Sequence, residues 1–589
     1  MVKGETFQEV GNIHKRIEPF KTASIQFNPK LNRRNANIRE LKSKVREAAK
    51  NGAKLIVTPE MSTTGYHYLD RSAISTYVDT IPGLTTDHFS EIAEEFGVYI
   101  VVGMAEEDLE SGLYYNSSAL VGPHGYIGKY RKIHQWVVEN YWSCWGDIGC
   151  PVYETDIGNI AMIICQDSAY LESARLAAVN GADILCFPTN SSSASISMLQ
   201  HWAEMNGLYV ISANRTDKEE DFQMIGSSAL WSPYGKKLSE APVSRNENGT
   251  DDLFLYGEID PAQFKNPGKD RLLERRMDSY KDLMLFLGPW DYTKNTVSRD
   301  IKAAALQYEP DIGNKKANLE KVKELIQKKV DDDVNLIVLP ELSLIGPVHA
   351  RKKRDIHDYS ETDDGRTVKE MKKLAKEEAA HIVFGFAEKE LPHYYNSAII
   401  VNPEGEVIGK HRKIHLDERD EKWATPGKHI SITPVNGFGR IGMMIGYDAV
   451  FPEVASVLAV KRADMICIPT SWNGQYGTEL TMNQDMFAKP YPKGTVSTWD
   501  AVAKGAQAAV IVANFSGSEQ NYKGRSAIYN LDQNYTKDES VIAPQSVEHV
   551  LMNAFQTMKS DWWLDQEKLI MTRRTAFYKP LVTREPPFF

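Results

Sequence analysis

The stretch LIVTPEMSTTGY at residues 55–66 occurs a second time in the same chain, as LIVLPELSLIGP at residues 336–347. Three more stretches recur in the same order: TASIQFNPKLNRRNANI (22–38) with AAALQYEPDIGNKKANL (303–319), IGKYRKIH (127–134) with IGKHRKIH (408–415), and ADILCFPTN (182–190) with ADMICIPTS (463–471). Matched residues lie mostly 281 positions apart, as Glu60 and Glu341 do. Self-similarity at a nearly fixed offset predicts that one structural unit is present twice.

The repeat divides the 589-residue chain into two halves. We predict one domain over residues 1–290 and a second over residues 300–589, because turn-forming and polar residues separate two apolar patterns there. The offset grows from 281 to 300 by Asn214 and Asn514, so the second half carries extra residues. We place them within 474–500, a stretch rich in glycine and proline that is expected to reach over the functional site or to form an interface.

Each half alternates between predicted strands and helices. In the first half, short apolar runs predict strands at 22–27, 55–58, 98–104, 116–121, 161–165, 184–187 and 209–213. Apolar residues at helical spacing predict one helix after the first strand and another from about residue 171 to 180. This alternation predicts an α/β fold, and such folds place their chemistry in loops at strand ends.

Composition excludes several classes of protein. Apolar residues make up 42% of the chain and charged residues 25%, which is typical of a globular protein. The net charge of −10 argues against a nucleic-acid partner, and the basic run at 351–354 is interpreted as a solvated helix face. No apolar run is long enough to span a membrane, the N-terminal stretch is polar, and only five cysteines are present, so we expect no membrane partner and a cytoplasmic location.

Three reactive side chains of the first half lie at predicted strand ends or in loops: Glu60, Lys132 and Cys165. A thiol at a strand end just before a helix lies near unpaired N–H groups, which are expected to lower its pKa. A carboxylate can take the thiol proton and later activate water, and an ammonium group can stabilise an oxyanion. These three groups suffice for acyl transfer through a thioester.

The segments around these residues, PEMSTTGY, YRKIH and IICQD, resemble those of the nitrilase superfamily of carbon–nitrogen hydrolases, with its Glu–Lys–Cys triad. The likeness covers both halves and includes the Arg-Arg pairs at 275–276 and 573–574. It implies catalytic roles for Glu60, Lys132 and Cys165. It also implies two tandem α-β-β-α sandwich domains that form a pseudo-dimer within one chain.

The segment after Lys132 carries further candidates. The resemblance implies a second active-site glutamate here, and we assign Glu139 to orienting the lysine and the substrate. Four aromatic residues crowd the segment and either line a substrate pocket or pack in the core: Trp136, Tyr141, Trp142 and Trp145. His134 is interpreted as structural. The residues assigned to substrate binding are Tyr66, Trp136, Trp142 and Gln166.

The second half lacks the nucleophile. The position 281 residues after Cys165 is Gly446, which has no side chain to form a thioester. Glu341 and Lys413 are retained, and Asp420 takes the place of Glu139. The second half therefore resembles a pseudoenzyme domain.

The most favoured reaction is hydrolysis of an amide or N-carbamoyl group to an acid and ammonia. Cys165-Gln166-Asp167 resembles the Cys-x-Asp pattern of amidases and carbamoylases, whereas Tyr170-Leu171-Glu172 departs from the Phe-Pro-Glu of many amidases. Nitrile hydrolysis, acyl transfer to an amine and a non-catalytic scaffold remain alternatives. The expected partner is a small-molecule substrate, with further homo-oligomerisation of the pseudo-dimer possible. Without metal-ligand spacing or a nucleotide-binding motif, no metal and no cofactor are predicted.

Overall fold

The computed structural model describes residues 17–250, 252–285, 298–348, 356–487, 489–517, 521–530, 539–557 and 565–583. The basic run at 351–354 and most of the predicted domain boundary near 288–300 lie outside these ranges. Within them, no helix is long and apolar enough to cross a membrane.

The first half contains two six-stranded sheets. Its strands are β1 (Phe20–Gln26), β2 (Ala53–Val57), β3 (Tyr99–Glu107), β4 (Tyr114–Gly122), β5 (Gly125–Arg131), β6 (Val152–Tyr153), β7 (Ile160–Met162), β8 (Ile184–Pro188), β9 (Tyr209–Ala213), β10 (Lys218–Glu219), β11 (Phe222–Gln223), β12 (Ala229–Trp231), β13 (Lys237–Glu240) and β14 (Leu253–Ile259). Its α-helices are α1 (Arg34–Lys50), α2 (Arg71–Ile74), α3 (Leu84–Phe96), α4 (Leu171–Val179), α5 (Ser193–Ile196), α6 (Leu199–Asn206) and α7 (Pro267–Arg271). The sheet orders are β14-β1-β2-β3-β4-β5 and β13-β12-β9-β8-β7-β6.

The second half repeats this arrangement, again with two six-stranded sheets. Its strands are β15 (Asp300–Gln307), β16 (Leu336–Val338), β17 (His381–Glu390), β18 (His393–Val401), β19 (Val407–Arg412), β20 (Ile432–Val435), β21 (Gly439–Met443), β22 (Met465–Thr470), β23 (Ala509–Asn514), β24 (Ser516–Gly517), β25 (Tyr522–Lys523), β26 (Ala527–Tyr529), β27 (Val541–Ile542) and β28 (His549–Gln556). Its α-helices are α8 (Lys315–Lys329), α9 (Arg366–Glu377), α10 (Pro452–Val460), α11 (Ser497–Ala506), α12 (Gln566–Met571) and α13 (Lys579–Val582). The sheet orders are β19-β18-β17-β16-β15-β28 and β20-β21-β22-β23-β26-β27.

Each half is a four-layer sandwich of helices, two sheets and helices. In the first half, α1 buries Leu41, Val45 and Ala48, which recur at helical spacing on the face that packs with α3 against the first sheet. The β1–β2–β3 and β7–β8–β9 pairings are parallel, and their strands are almost wholly buried, as parallel strands covered on both faces are. The predicted α-β-β-α sandwich is confirmed for both halves.

The two halves pack helix against helix. Helices α4 and α6 of the first half and α10 and α11 of the second contribute to one continuous hydrophobic cluster. Gly505 lets two of these helices approach closely, because a Cβ atom there would lie 2.2 Å from the Leu171 side chain. The buried guanidinium of Arg175 donates two hydrogen bonds, of 2.8 and 3.1 Å, to the Glu453 carboxylate across the interface. The predicted pseudo-dimer within one chain is thereby confirmed.

The extra segment of the second half, 474–500, lies against the first half. Its backbone and side chains contact Gln200 and Glu204 of α6, and the side chain of Arg245 donates to its carbonyl groups. Of the two expectations for this segment, the structure bears out the interface.

The strand before Cys165 is shorter than predicted. The apolar run predicted a strand over 161–165, but β7 ends at Met162 and a 3₁₀ turn begins at Cys165. The reason is the Asp167 carboxylate, which accepts the backbone N–H of Ile164 at 2.9 Å and so bends the chain back on itself. Cys165 therefore lies in a turn beyond the strand, where its side chain faces a cavity.

Candidate active site

Glu60 lies three residues beyond the end of β2 and is completely buried. Its Oε1 accepts hydrogen bonds of 2.7 Å from both Lys132 Nζ and Asn116 Nδ2, and its Oε2 accepts the backbone N–H of Asn190 at 2.8 Å. The loop can pass this close to β3 only because Gly103 has no side chain, since a Cβ atom there would lie 2.2 Å from the Pro59 carbonyl oxygen. Three donors thus fix the orientation of the Glu60 carboxylate.

Lys132 is equally buried, and it is held between two carboxylates. Its Nζ lies 2.7 Å from Glu60 Oε1 and 2.5 Å from Glu139 Oε1. Burial by itself lowers the pKa of Lys132, but the charges of Glu139 and Glu60 outweigh burial and hold that pKa above its ordinary value. The lysine is therefore a permanent cation at the centre of this cluster.

Glu139 completes the cluster. Its carboxylate lies at the start of a 3₁₀ turn, Val137–Tyr141, and accepts the backbone N–H of Trp136 at 3.0 Å and Asn116 Nδ2 at 3.1 Å. Burial raises the pKa of Glu139, Lys132 opposes this shift, and Glu60 adds to it. Two carboxylates share one ammonium group, which leaves Glu139 near the boundary between its ionised and neutral forms.

Cys165 lies beside this cluster in the turn Cys165–Ala169, with φ of +41°. Its Sγ is 3.4 Å from the Ser191 hydroxyl and 3.8 Å from the carbonyl oxygen of Asn190, the residue whose N–H contacts Glu60. A positive φ is unfavourable for a residue with a side chain and recurs at functional sites. With this backbone the thiol lines the cavity and lies within electrostatic reach of Glu60.

The expectation of a lowered thiol pKa was wrong. Burial raises the pKa of Cys165, the negative charge of Glu60 raises it further, and Lys132 only partly opposes them. The helix that was expected to help begins only at Leu171, and Asp167 occupies the N–H groups of Ile164 and His134. The resting state is therefore a neutral thiol, and its proton must be removed when the substrate is attacked.

A cavity of about 260 Å³ opens over Cys165. Three of the four predicted substrate-binding residues, Tyr66, Trp136 and Gln166, lie on its wall. Trp142 does not: it packs edge-on against Tyr68 in a buried apolar cluster beneath the loop. The residues lining the cavity, all from the first half, are Tyr66, Trp136, Cys165, Gln166, Asn190, Ser191, Ser192, Ala194, Ser195 and Phe222.

Sequence reasoning missed several residues of the site. Asn116 bridges Glu60 and Glu139, and its only sequence signal was its recurrence as Asn396 in the repeat. Ser191 contacts the thiol, and Phe222 forms part of the wall from the short β10–β11 hairpin. His134, interpreted as structural, contacts Asp167 and stacks on Tyr170 at 3.6 Å between ring centroids.

The second half keeps the charged cluster but alters its surroundings. Lys413 Nζ contacts Glu341 Oε1 at 2.8 Å and also the Asp420 carboxylate, and Asn396 bridges the two acids. Gly446 has φ of +42°, matching the turn at Cys165. The counterpart of Ser191 is the buried Trp472. The backbone N–H of Trp472 donates to the side-chain oxygen of Asn514, just as the backbone N–H of Ser191 donates to that of Asn214.

Both halves of the chain match a known protein family. The family model described as "Carbon-nitrogen hydrolase" matches residues 21–266 and again residues 302–532. A nitrilase of Pyrococcus abyssi is 36% identical over 239 residues, which are 40% of this chain and 90% of that protein. A formamidase of Bacillus cereus is 32% identical over 243 residues, which are 39% of this chain and 72% of that protein.

Solved structures show a partial overlap with the chain. A carbon–nitrogen hydrolase from Helicobacter pylori G27 has 24% sequence identity and a TM-score of 0.41, and the match covers 45% of this chain and 98% of that one. The sequence matches, which together span both halves, carry the assignment. The chain belongs to the carbon–nitrogen hydrolase family of the nitrilase superfamily and contains two copies of its domain in tandem.

Proposed function

We propose that the first half hydrolyses the C–N bond of an amide or N-carbamoyl group, through a thioester on Cys165, to an acid and ammonia. The observation that carries this proposal is the buried ammonium of Lys132 held between the Glu60 and Glu139 carboxylates, beside a thiol that faces a cavity. Buried ionisable groups with shifted pKa values are frequent at functional sites, and only in the first half does such a cluster lie beside a cysteine, since the matching position of the second half is Gly446.

In the acylation step, Glu60 takes the thiol proton as Sγ attacks the carbonyl carbon of the substrate. The negative charge moves onto the substrate oxygen, where Lys132 Nζ and the backbone N–H of Gln166 stabilise it; Gln166 lies in the first turn after Cys165. The tetrahedral intermediate collapses as the C–N bond breaks. Glu60 passes its proton to the departing nitrogen, so ammonia leaves and a thioester remains.

In the deacylation step, Glu60 takes a proton from water while the water oxygen attacks the thioester carbon. The C–S bond breaks, the proton on Glu60 returns to the sulfur, and the acid is released. The raised thiol pKa supports this account, because it makes a base necessary in the first step and makes the thiolate readily reprotonated in the last.

Glu139 and Asn116 position the other groups. Asn116 donates to both carboxylates, and Glu139 ties Lys132 to the turn Val137–Tyr141. Because its pKa is raised, Glu139 can hold a proton. The cluster then carries less negative charge while the oxyanion forms.

We further propose that the second half is a pseudoenzyme. It offers no nucleophile at Gly446, and Trp472 occupies the place of Ser191. Asp417 stands where the first half has the cavity residue Trp136, and its carboxylate is engaged with Lys413 and Arg419. The retained charges therefore contribute to the structure of the second half rather than to a second reaction.

The first test is ammonia release by the purified full-length chain from primary amides, N-carbamoyl compounds and matched nitriles. We expect release from amides or N-carbamoyl compounds to exceed release from nitriles. We also expect added hydroxylamine to yield the hydroxamate, because it intercepts a thioester. Faster nitrile turnover would favour nitrile hydrolysis, the activity named in the Pyrococcus abyssi relative. No release from any compound would favour a non-catalytic scaffold.

A further inference from the structure

The wall of the cavity is uncharged. Among the described residues that line it, none carries a side chain that is charged at neutral pH, since the thiol of Cys165 is protonated there. Three aromatic rings, those of Tyr66, Trp136 and Phe222, form much of the wall, and the Trp136 and Phe222 rings lie 5.8 Å apart between centroids. The remaining polar groups are hydroxyls and amides, which bind neutral molecules.

Two buried cations beside wall residues, Lys132 and Arg215, are already neutralised. Lys132 is fully buried and shared by two carboxylates. Behind Tyr66, Arg215 is paired with both Asp217 and Glu219 at 2.9 Å. Glu219 also accepts the N–H of Tyr66 at 2.7 Å, so the structure behind this wall carries an excess of negative charge.

We propose that the site takes amides whose acyl part is uncharged and apolar or aromatic, and that it rejects substrates with a free carboxylate, including N-carbamoyl amino acids. This inference rests on the proposed amide hydrolysis and narrows its substrate class. A carboxylate in this cavity would lose its hydration without gaining a cation, and the acidic cluster behind the wall would repel it. A flat apolar group would instead pack against the three rings.

The test compares two amides of equal chain length, hexanamide and the monoamide of adipic acid, which carries a terminal carboxylate. With the full-length chain at neutral pH, kcat/KM for hexanamide is expected to exceed that for the acid by at least about 100-fold. Equal values would overturn the inference while leaving amide hydrolysis intact. Ammonia release from neither compound, nor from any other amide, would instead overturn the proposed function and the inference with it.

A substitution in the wall sharpens this test. Phe222→Arg places a cation beside Trp136, and it is expected to raise the ratio of kcat/KM for the acid over hexanamide by at least about tenfold. Phe222→Leu removes the ring without adding charge, so it is expected to lower activity toward both compounds without favouring the acid. A ratio unchanged by Phe222→Arg, in a variant with wild-type thermal stability, would count against the uncharged wall as the cause.

An independent observation concerns the extra segment 474–500 of the second half. Its residues form hydrogen bonds with two polar side chains of helix α6 in the first half, those of Gln200 and Glu204. Gln200 accepts the N–H of Thr481 at 2.9 Å and donates to the carbonyl of Glu479 at 2.9 Å. Glu204 accepts the N–H of Thr478 at 2.9 Å and the Ser497 hydroxyl at 2.6 Å.

Helix α6 begins four residues after Ser195 of the cavity wall. Wall residues occupy 190–192, 194 and 195, and α6 begins at Leu199. Between them, Ser197 accepts a hydrogen bond of 3.2 Å from Lys504 of the second half. We infer that Gln200 and Glu204 are positioning residues, through which the second half fixes the wall of the catalytic cavity in the first.

The inference is tested with Gln200→Met, which keeps the side-chain volume and removes its hydrogen bonds. We expect KM to rise by about tenfold with kcat changed less than about threefold, because a displaced wall weakens substrate positioning. Glu204→Gln, a milder change, is expected to raise KM in the same direction. Tyr447→Phe serves as the control, since it removes a 2.8 Å contact with Glu274 between the halves that lies outside the cavity wall. Lower thermal stability with KM unchanged would show a merely structural role.

Discussion

Replacing Cys165 by alanine is expected to lower kcat for amide hydrolysis by at least about 10⁴-fold, because no other group of the site can form the thioester. Stability should change little, since the polar contacts that the thiol makes with Ser191 and Asn190 are long and weak. The measurement is ammonia release by the wild type and the variant at saturating substrate, with thermal unfolding to show that both are folded.

Two controls make this result specific. Cys144→Ala alters a partly exposed thiol outside the residues that line the cavity and should leave kcat unchanged. Cys165→Ala combined with Gly446→Cys should remain inactive, because a Cβ atom at Gly446 would lie 3.0 Å from Glu341 Oε2 and Trp472 fills the neighbouring place. Full activity in Cys165→Ala would refute the nucleophile, and activity in the double variant would refute the proposal that the retained charges of the second half contribute only to its structure.

The second large effect is expected from Glu60→Gln, which should lower kcat by roughly 10³-fold. A glutamine retains the shape and an acceptor oxygen for Lys132 but cannot take the proton of the thiol or of water. The structure offers a matched control in Glu341→Gln, because Glu341 makes the same contacts with Lys413 and Asn396 in the second half.

Comparing these two variants separates chemistry from structure. Each removes one carboxylate from a buried lysine that keeps another, Glu139 beside Lys132 and both Asp417 and Asp420 beside Lys413, so each is expected to destabilise the protein by about 1–3 kcal/mol. Only Glu60→Gln should affect turnover, measured as kcat over a range of pH together with the unfolding midpoint of each variant. If both variants lost activity equally, the loss would come from stability or from coupling between the halves, and Glu60 would not be the base.

Much of the fold could be predicted from the sequence because its signals are local. Apolar runs such as 55–58 and 184–187 become buried strands β2 and β8, since a run of that kind must be covered on both faces. The repeat at an offset of 281 residues then required the same fold twice. The boundaries at 1–290 and 300–589 remain predictions.

The candidate site was predicted in part. Glu60, Lys132, Glu139 and Cys165 are far apart in sequence, and the structure brings them into one buried cluster and its neighbouring turn. Asn116 was missed because an asparagine in a strand gives no local sign that it will bridge two acids. Trp142 was misplaced because an aromatic residue near a site packs equally well in the core or in a pocket wall.

The sequence by itself determined that the chain is a doubled α/β protein. Acids and a lysine stand in family-like segments of both halves, and a cysteine stands at the nucleophile position of the first half alone. These features depend only on residue types and spacing. The tertiary structure alone decided how those groups behave. Burial beside Glu60 raises the pKa of Cys165, although its position before a helix predicted the opposite. The tertiary structure also decided that the segment 474–500 packs against α6. The residues that make these contacts lie hundreds of positions apart in the chain, so no local pattern in the sequence indicates them.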